Sequence, residues 1–322
     1  MKPAYSVGAL LYAPATNDKI VRFILQQSVE GPYSASLCLE DSISDSSVSG
    51  AELNILKDFA EISRALDKNP EMYLPRLFIR VRRPEQIPDL YRRLGDSARL
   101  LTGFVAPKYS PACSELYNRS ILEVNSHSPA PVYMMPTLES GDIVRLQGRS
   151  DTLQYLRDQV DLISDYILNI RVGGNDICSA FGVRRSVDET IYDNLAVSRI
   201  LADILTVFAP DYVVSGPVWE YFSGDDDQWK RGLRRELKLD RLNGFIGKTV
   251  IHPNQIPVVN ESLRVSRKDY DDAVSILNWS PENCDLVEKN RSGERMNEVR
   301  VHTRWAQKIM TLADVYGIAE QD

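Results

Sequence analysis

Residues 131–176, PVYMMPTLESGDIVRLQGRSDTLQYLRDQVDLISDYILNIRVGGND, carry the pattern that decides the fold. A short β-type run, Pro131 to Met135, is followed by Leu153 to Leu162, whose apolar residues recur at helical spacings of three and four. A second β-type run, Tyr166 to Val172, comes next. A strand, a helix and a strand in that order predict a parallel crossover, because parallel neighbours need a long connection between them. Each run also leads into a carboxylate, Glu139 in MPTLES and Asp176 in VGGND.

The same alternation extends in both directions. Further β-type runs lie at Val7 to Tyr12, Ala35 to Leu39, Leu77 to Val81, Leu101 to Val105, Tyr212 to Ser215 and Phe245 to Ile251. Amphipathic stretches fall between them at Ile20 to Val29, Leu53 to Leu66, Ile87 to Leu94, Leu116 to Val124, Leu195 to Phe208 and Trp229 to Leu242. Eight such alternations predict a (β/α)8 barrel, and no GxGxxG turn follows the first strand to favour an open dinucleotide-binding sheet. The barrel is expected over residues 1–278. Beyond it, Ser280 to Arg295 is polar and loop-like, and Val299 to Tyr316 reads as one last helix. Residues 279–322 are therefore expected to form a lid or an oligomer arm.

Composition narrows the partners. Among 322 residues, 43% are apolar and 26% charged, the profile of a globular protein rather than a disordered or bilayer-spanning one. A net charge of −7 supplies no general field for a polyanion, which disfavours nucleic acid. Cys38, Cys113, Cys178 and Cys284 lack CxxC spacing or a nearby His, so they read as reduced thiols. The opening MKPAYSVGALLYAPATN has one Lys and an apolar stretch broken by Pro14. That is too short to span a membrane and poorly built as a signal peptide, and the cytoplasm is expected.

In a (β/α)8 barrel the C-terminal strand ends line the active site, so polar residues there are candidates for chemistry. Strand two ends in Glu40 and Asp41, strand three in Arg80 and Arg82, strand four in Lys108, and strand eight runs through Lys248 to His252. Glu139 and Asp176 could each cap the following helix. As a pair on neighbouring strands they suit a hard cation, since Mg2+ prefers oxygen ligands and keeps waters that a substrate can displace. Arg80 and Arg82 share strand parity and, if they point inward, form a fork for a carboxylate. Lys108 would suit an anion. Gly173 and Gly174, before Asn175, either bring backbone close to a ligand or form a tight turn. His252 is expected to pack near the last strand, and His127 and His302 to lie on the surface.

The ordered set LYAPATN, LEDS, RVR, APK, TLES, GGNDI, SGP and GKTVIHPNQI resembles the citrate lyase beta subunit family, within the HpcH/HpaI aldolase and phosphoenolpyruvate/pyruvate barrel superfamily. The likeness covers roughly Gly8 to Asn278, and a branch of carbon-carbon bond lyases in that superfamily is a close candidate. The resemblance implies that Glu139 and Asp176 hold Mg2+ or Mn2+, that Glu40 and Asp41 order the waters of the metal, and that Arg80 grips a substrate carboxylate beside Lys108, Gly174 and Asn175. It further implies a lid segment in SGERMNE, whose Glu298 a neighbouring subunit would place over the site, and a homo-oligomer, a trimer or hexamer. Three departures, Arg82 for Asn, Ser215 for Asp and Glu298 for Asp, are expected near the pocket.

On this footing the chain is expected to be a Mg2+-dependent carbon-carbon bond lyase. It would act on a 2-oxo acid such as oxaloacetate, pyruvate or glyoxylate, or on a hydroxyacyl adduct, with a coenzyme A thioester as a further substrate class. The base would be a water ordered by Glu40 or Asp41, or Glu298 itself. Two alternatives stand beside it: a malate-synthase-like enzyme or thioesterase that needs coenzyme A, and a subunit active only within a complex.

Overall fold

The computed structural model describes residues 3–29, 31–280 and 285–319. Eight parallel strands form one sheet: β1 (Ala9–Pro14), β2 (Ser34–Cys38), β3 (Arg76–Arg80), β4 (Leu101–Ala106), β5 (Tyr133–Leu138), β6 (Ile170–Val172), β7 (Val214–Ser215) and β8 (Lys248–Val250). From β1 to β7 each pairs with its neighbour in sequence, and β1 pairs with β8. Closure comes at β7 and β8, where the Ile246 amide donates to the Val214 carbonyl at 2.8 Å and Gly216 bridges Lys248. The expected (β/α)8 barrel is what the chain forms.

Helices follow the strands: α1 (Lys19–Leu25), α2 (Val48–Lys68), α3 (Gln86–Leu94), α4 (Ser114–Asn125), α5 (Gly141–Val144), α6 (Arg149–Asp161), α7 (Gly174–Ala180), α8 (Leu195–Phe208), α9 (Gln228–Asn243) and α10 (Gln255–Leu263). Local chemistry sets several of their ends. The Asn194 side chain accepts from the Val197 amide at the start of α8, and left-handed Gly244 stops α9. Their apolar faces bury Ile55 and Phe59 of α2, Ile121 of α4, Leu156 of α6 and Ile200 of α8 against the sheet. Each fully buried side chain of this kind contributes about 1.5–3 kcal/mol.

Inside the barrel, Val7, Leu10, Phe78, Val105, Met135 and Leu168 form a separate apolar layer. Ala4, from a 3-10 turn over Pro3–Ser6, packs against it near the end where the strands begin. That turn is held from outside: the Tyr316 hydroxyl donates to the Tyr5 carbonyl at 2.8 Å. The last helices, α11 (Arg267–Leu277) and α12 (Val299–Tyr316), pack on each other around Ala273, Ile276, Ile309 and Leu312. α12 has the bounds expected from its periodicity. Part of the stretch expected as loop is instead half of a hairpin, β9 (Val287–Lys289) with β10 (Met296–Glu298). No described helix is long and apolar enough to cross a membrane. Cys38, Cys113 and Cys178 are free thiols, and Cys284 lies outside the described residues.

Candidate active site

A cavity of about 560 Å³ opens at the C-terminal ends of the strands. Its wall includes Asp41, Arg80, Glu139, Gly174, Asn175 and Asp176, so residues at or just beyond the ends of four strands converge on one space. Glu40 and Glu139 are nearly buried, at 5% and 6% exposed, while Asp41 is open to solvent.

Arg80 organises this cluster. Ending β3, it places Nη2 3.0 Å from Glu40 Oε2 and 3.2 Å from Glu139 Oε1, and its guanidinium lies over the Tyr12 ring at 5.6 Å. Its Nε has no partner and Nη1 only a long contact with Cys38 Sγ, so part of its donor set is unused. Lys108 has a left-handed backbone with φ of 48°. From that position its amide donates to Glu139 Oε1 at 2.9 Å while Nζ reaches Glu40 Oε1 at 2.6 Å and Asp41 Oδ1 at 2.9 Å. A side chain held in this sparsely populated region is a feature that concentrates at functional sites. The anions that Lys108 meets are thus the protein's own carboxylates. Burial works against its charge, but the hydrogen bonds it donates to Glu40 and Asp41 raise its pKa above the usual lysine value.

Glu139 and Asp176 are left without full compensation. Burial pushes the Glu139 carboxyl up to about 7, with Arg80 opposing and the nearby Asp176 charge adding to the rise. Both contacts described above fall on Oε1. Asp176, half-buried in the first turn of α7, makes no hydrogen bond or ion pair among the described residues. Two hard oxygen donors lining one cavity fit a divalent ion such as Mg2+, which is held by one or two carboxylates and completes its shell with water and substrate. No group of three or more His, Cys, Asp or Glu among the described residues converges to build a denser protein cage.

Several expected residues stand elsewhere. Arg82 does not join Arg80 in a fork: β3 ends at Arg80, the alternation ends with it, and Arg82 turns to the loop after β2. There it donates to the carbonyls of Leu39 at 2.9 Å, Glu40 at 3.1 Å and Ile43 at 2.8 Å, and pairs with Asp45. Ser215 is buried outside the cavity wall, donating to the Ile246 carbonyl at 2.9 Å. Glu298 lies on β10, its amide bonded to His302 Nδ1, and does not line the mouth of its own barrel. None of the three departures lines the cavity itself, although Arg82 bonds the loop that carries Glu40 and Ser215 pairs in register with Arg171. Lys248 faces α9, where Nζ meets Glu236 at 2.8 Å and Asp240 at 2.7 Å. His252 packs as expected, stacked on Phe222 at 4.7 Å.

The glycine pair has a packing role. An ideal Cβ on Gly173 would lie 1.8 Å from Glu139 Oε2, and one on Gly174 would lie 2.6 Å from Pro217 Cβ. Sequence reading did not single out Tyr12, Arg171, Arg184, Glu220 and Thr249, all of which line the cavity. For Arg171 a signal existed, a charge inside the otherwise apolar run before Gly173.

A closed parallel barrel with paired carboxylates and a buried arginine at its C-terminal mouth defines an enzyme-type site. The chain belongs to the C-C bond lyase family of the TIM-barrel fold, whose model matches residues 1–318. Solved structures share the fold at low identity. Protein CitE from Mycobacterium tuberculosis, in complex with magnesium, acetoacetate and coenzyme A, is 18% identical, with a TM-score of 0.60 over 97% of this chain and 99% of that one. The citrate lyase beta subunit from M. tuberculosis, complexed with oxaloacetate and magnesium, is 17% identical, with a TM-score of 0.52 over 81% of this chain and 99% of that one. RipC from Yersinia pestis is 18% identical, with a TM-score of 0.53 over 80% of this chain and 95% of that one. No curated protein matches the chain.

Proposed function

We propose that the protein is a Mg2+-dependent carbon-carbon bond lyase of the aldol or Claisen type, acting on a 2-oxo acid or on its hydroxyacyl adduct, coenzyme A thioesters included. The observation that carries this reading is that Glu139 and Asp176 line the same cavity as Arg80, with Asp176 making no hydrogen bond or ion pair among the described residues. Family membership supports the reaction class. The solved relatives, with magnesium and either oxaloacetate or acetoacetate, support the ligand class.

Cleavage or formation of a bond next to a carbonyl develops negative charge on the carbonyl oxygen, and catalysis requires that charge to be met where it forms. Glu139 and Asp176 would hold the divalent ion, which when bound supplies Lewis-acid stabilisation. Arg80 orients the substrate through its carboxylate, using the guanidinium donors left free of Glu40 and Glu139. Lys108 fixes Glu40 and Asp41 on the rim. Either carboxylate, acting through water, takes the proton from a hydroxyl as the bond breaks or from a carbon as it forms. Glu298 of a second copy is the other candidate for this proton transfer.

The deciding experiment measures turnover of 2-oxo acids and hydroxyacyl-coenzyme A adducts with Mg2+ and with EDTA, in the wild type, Glu139→Gln and Asp176→Asn. Activity that needs Mg2+ and is nearly lost in both variants is expected. Wild-type turnover in both variants with Mg2+ present would overturn the assignment.

A further inference from the structure

Arg171 sits in the middle of β6, 1% exposed, and lines the cavity. Its Nη2 donates to Thr249 Oγ1 at 2.6 Å, while Nε and Nη1 have no partner. Among the described residues no carboxylate forms an ion pair with it. Every other buried cation among the described residues has one: Arg80 with Glu40 and Glu139, Arg149 with Asp203, Arg185 with Glu236, and Lys248 with Glu236 and Asp240. A guanidinium stays protonated in proteins, so burial does not remove its charge and a counter-charge is needed. Burial accordingly pulls the Arg171 pKa down, with Tyr12 partly opposing. Beside it in register on β5 is Thr137, whose Oγ1 is also buried without a partner. Arg171 and Thr137 thus both line the cavity from neighbouring strands, each with an unmatched polar atom.

We propose that Arg171 is a specificity-determining residue that binds a second carboxylate, so that the cavity takes a dicarboxylic acid with one carboxylate toward Arg80 and the other on Arg171 and Thr137. Planar guanidinium and carboxylate match in a two-point hydrogen bond, which favours a carboxylate over a neutral polar group at that end. The inference deepens the proposed lyase reading by naming its substrate class. It depends on the cavity being the ligand site, not on the metal.

The test uses the full chain in EDTA, with malonate, succinate and glutarate compared with acetate and butyrate by calorimetric titration. At least one dicarboxylate is expected to bind about tenfold or more tightly than the monocarboxylates, the loss expected for one charge-assisted hydrogen-bonded pair. Arg171→Met should abolish that preference and melt no lower than the wild type. Arg171→Lys should restore part of the preference. Thr249→Val, which removes only the acceptor that aims Nη2, should weaken it without altering charge. Equal binding of mono- and dicarboxylates in the wild type, or a preference that survives Arg171→Met, would overturn the inference. A preference lost in Arg171→Met but unaccompanied by any Mg2+-dependent turnover would uphold Arg171 and count against the lyase reading alone.

Discussion

The carboxylate of Glu139 occupies the space in which a side chain on Gly173 would begin, with Oε2 1.8 Å from an ideal Cβ. The backbone of β6 can approach β5 at the mouth only because that position is glycine. Gly173→Ala should therefore displace Glu139 from Arg80 and Lys108 while leaving the distant core intact. Its expected signature is a drop in kcat/KM of about a hundredfold or more, in line with the loss of one charge-stabilising group, with a far smaller change in melting temperature. Enzyme kinetics paired with thermal melting checks it, and a near-normal rate would show that Glu139 accommodates the methyl group.

Removal of either carboxylate of the mouth should act on cation binding before it acts on the fold. In Asp176→Asn the half-buried side chain loses charge without losing volume, so folding should hold while Mn2+ binding, followed by paramagnetic resonance, weakens by at least about tenfold. Unchanged Mn2+ affinity would remove Asp176 from the proposed site.

Lys108 and Arg82 both hold the loop after β2, but differently. Lys108→Ala frees Glu40 and Asp41 yet leaves Arg80 on Glu40 at 3.0 Å. It should lower turnover by about ten- to a hundredfold and leave a measurable remnant. Arg82→Ala strips donors from three carbonyls, and should cost about 1–3 kcal/mol of stability in chemical denaturation.

Stability should also respond to pH through Asp58 on α2. It is 3% exposed, its Oδ2 has no partner, and burial, reinforced by Glu61, raises its pKa to about 6. An unfolded Asp titrates near 3.9. Between those values the folded chain keeps a proton that the unfolded chain has released, so this contribution to stability is present below about pH 4 and is lost as pH rises through about 6. Asp58→Asn should flatten that slope and raise stability at pH 7.5 by about 1–2 kcal/mol relative to pH 4. Parallel denaturation curves at all pH values for the two proteins would contradict it.

The barrel was legible because its signals are periodic. Alternating apolar runs marked all eight strands to within a few residues, and α12 ends where its spacing ends. Glu139 and Asp176 were legible because a strand end is a fixed place in this architecture. Arg82 misled because parity applies only within a strand, and β3 stops two residues earlier. The hairpin of β9 and β10 is three residues on each side, too short for a pattern. Lys248 sits on a strand, but its direction depends on carboxylates contributed by α9, a contact that spacing alone does not encode. Arg171 was visible as a charge in an apolar run, yet its meaning lies in a missing partner, and only three-dimensional proximity reveals that.

The turn that carries Ala4 packs against the apolar layer inside the barrel, and Tyr316 ties that turn to the last helix. A disturbance at the far end of α12 would therefore be felt beneath the strands, at the opposite end of the barrel from the cavity.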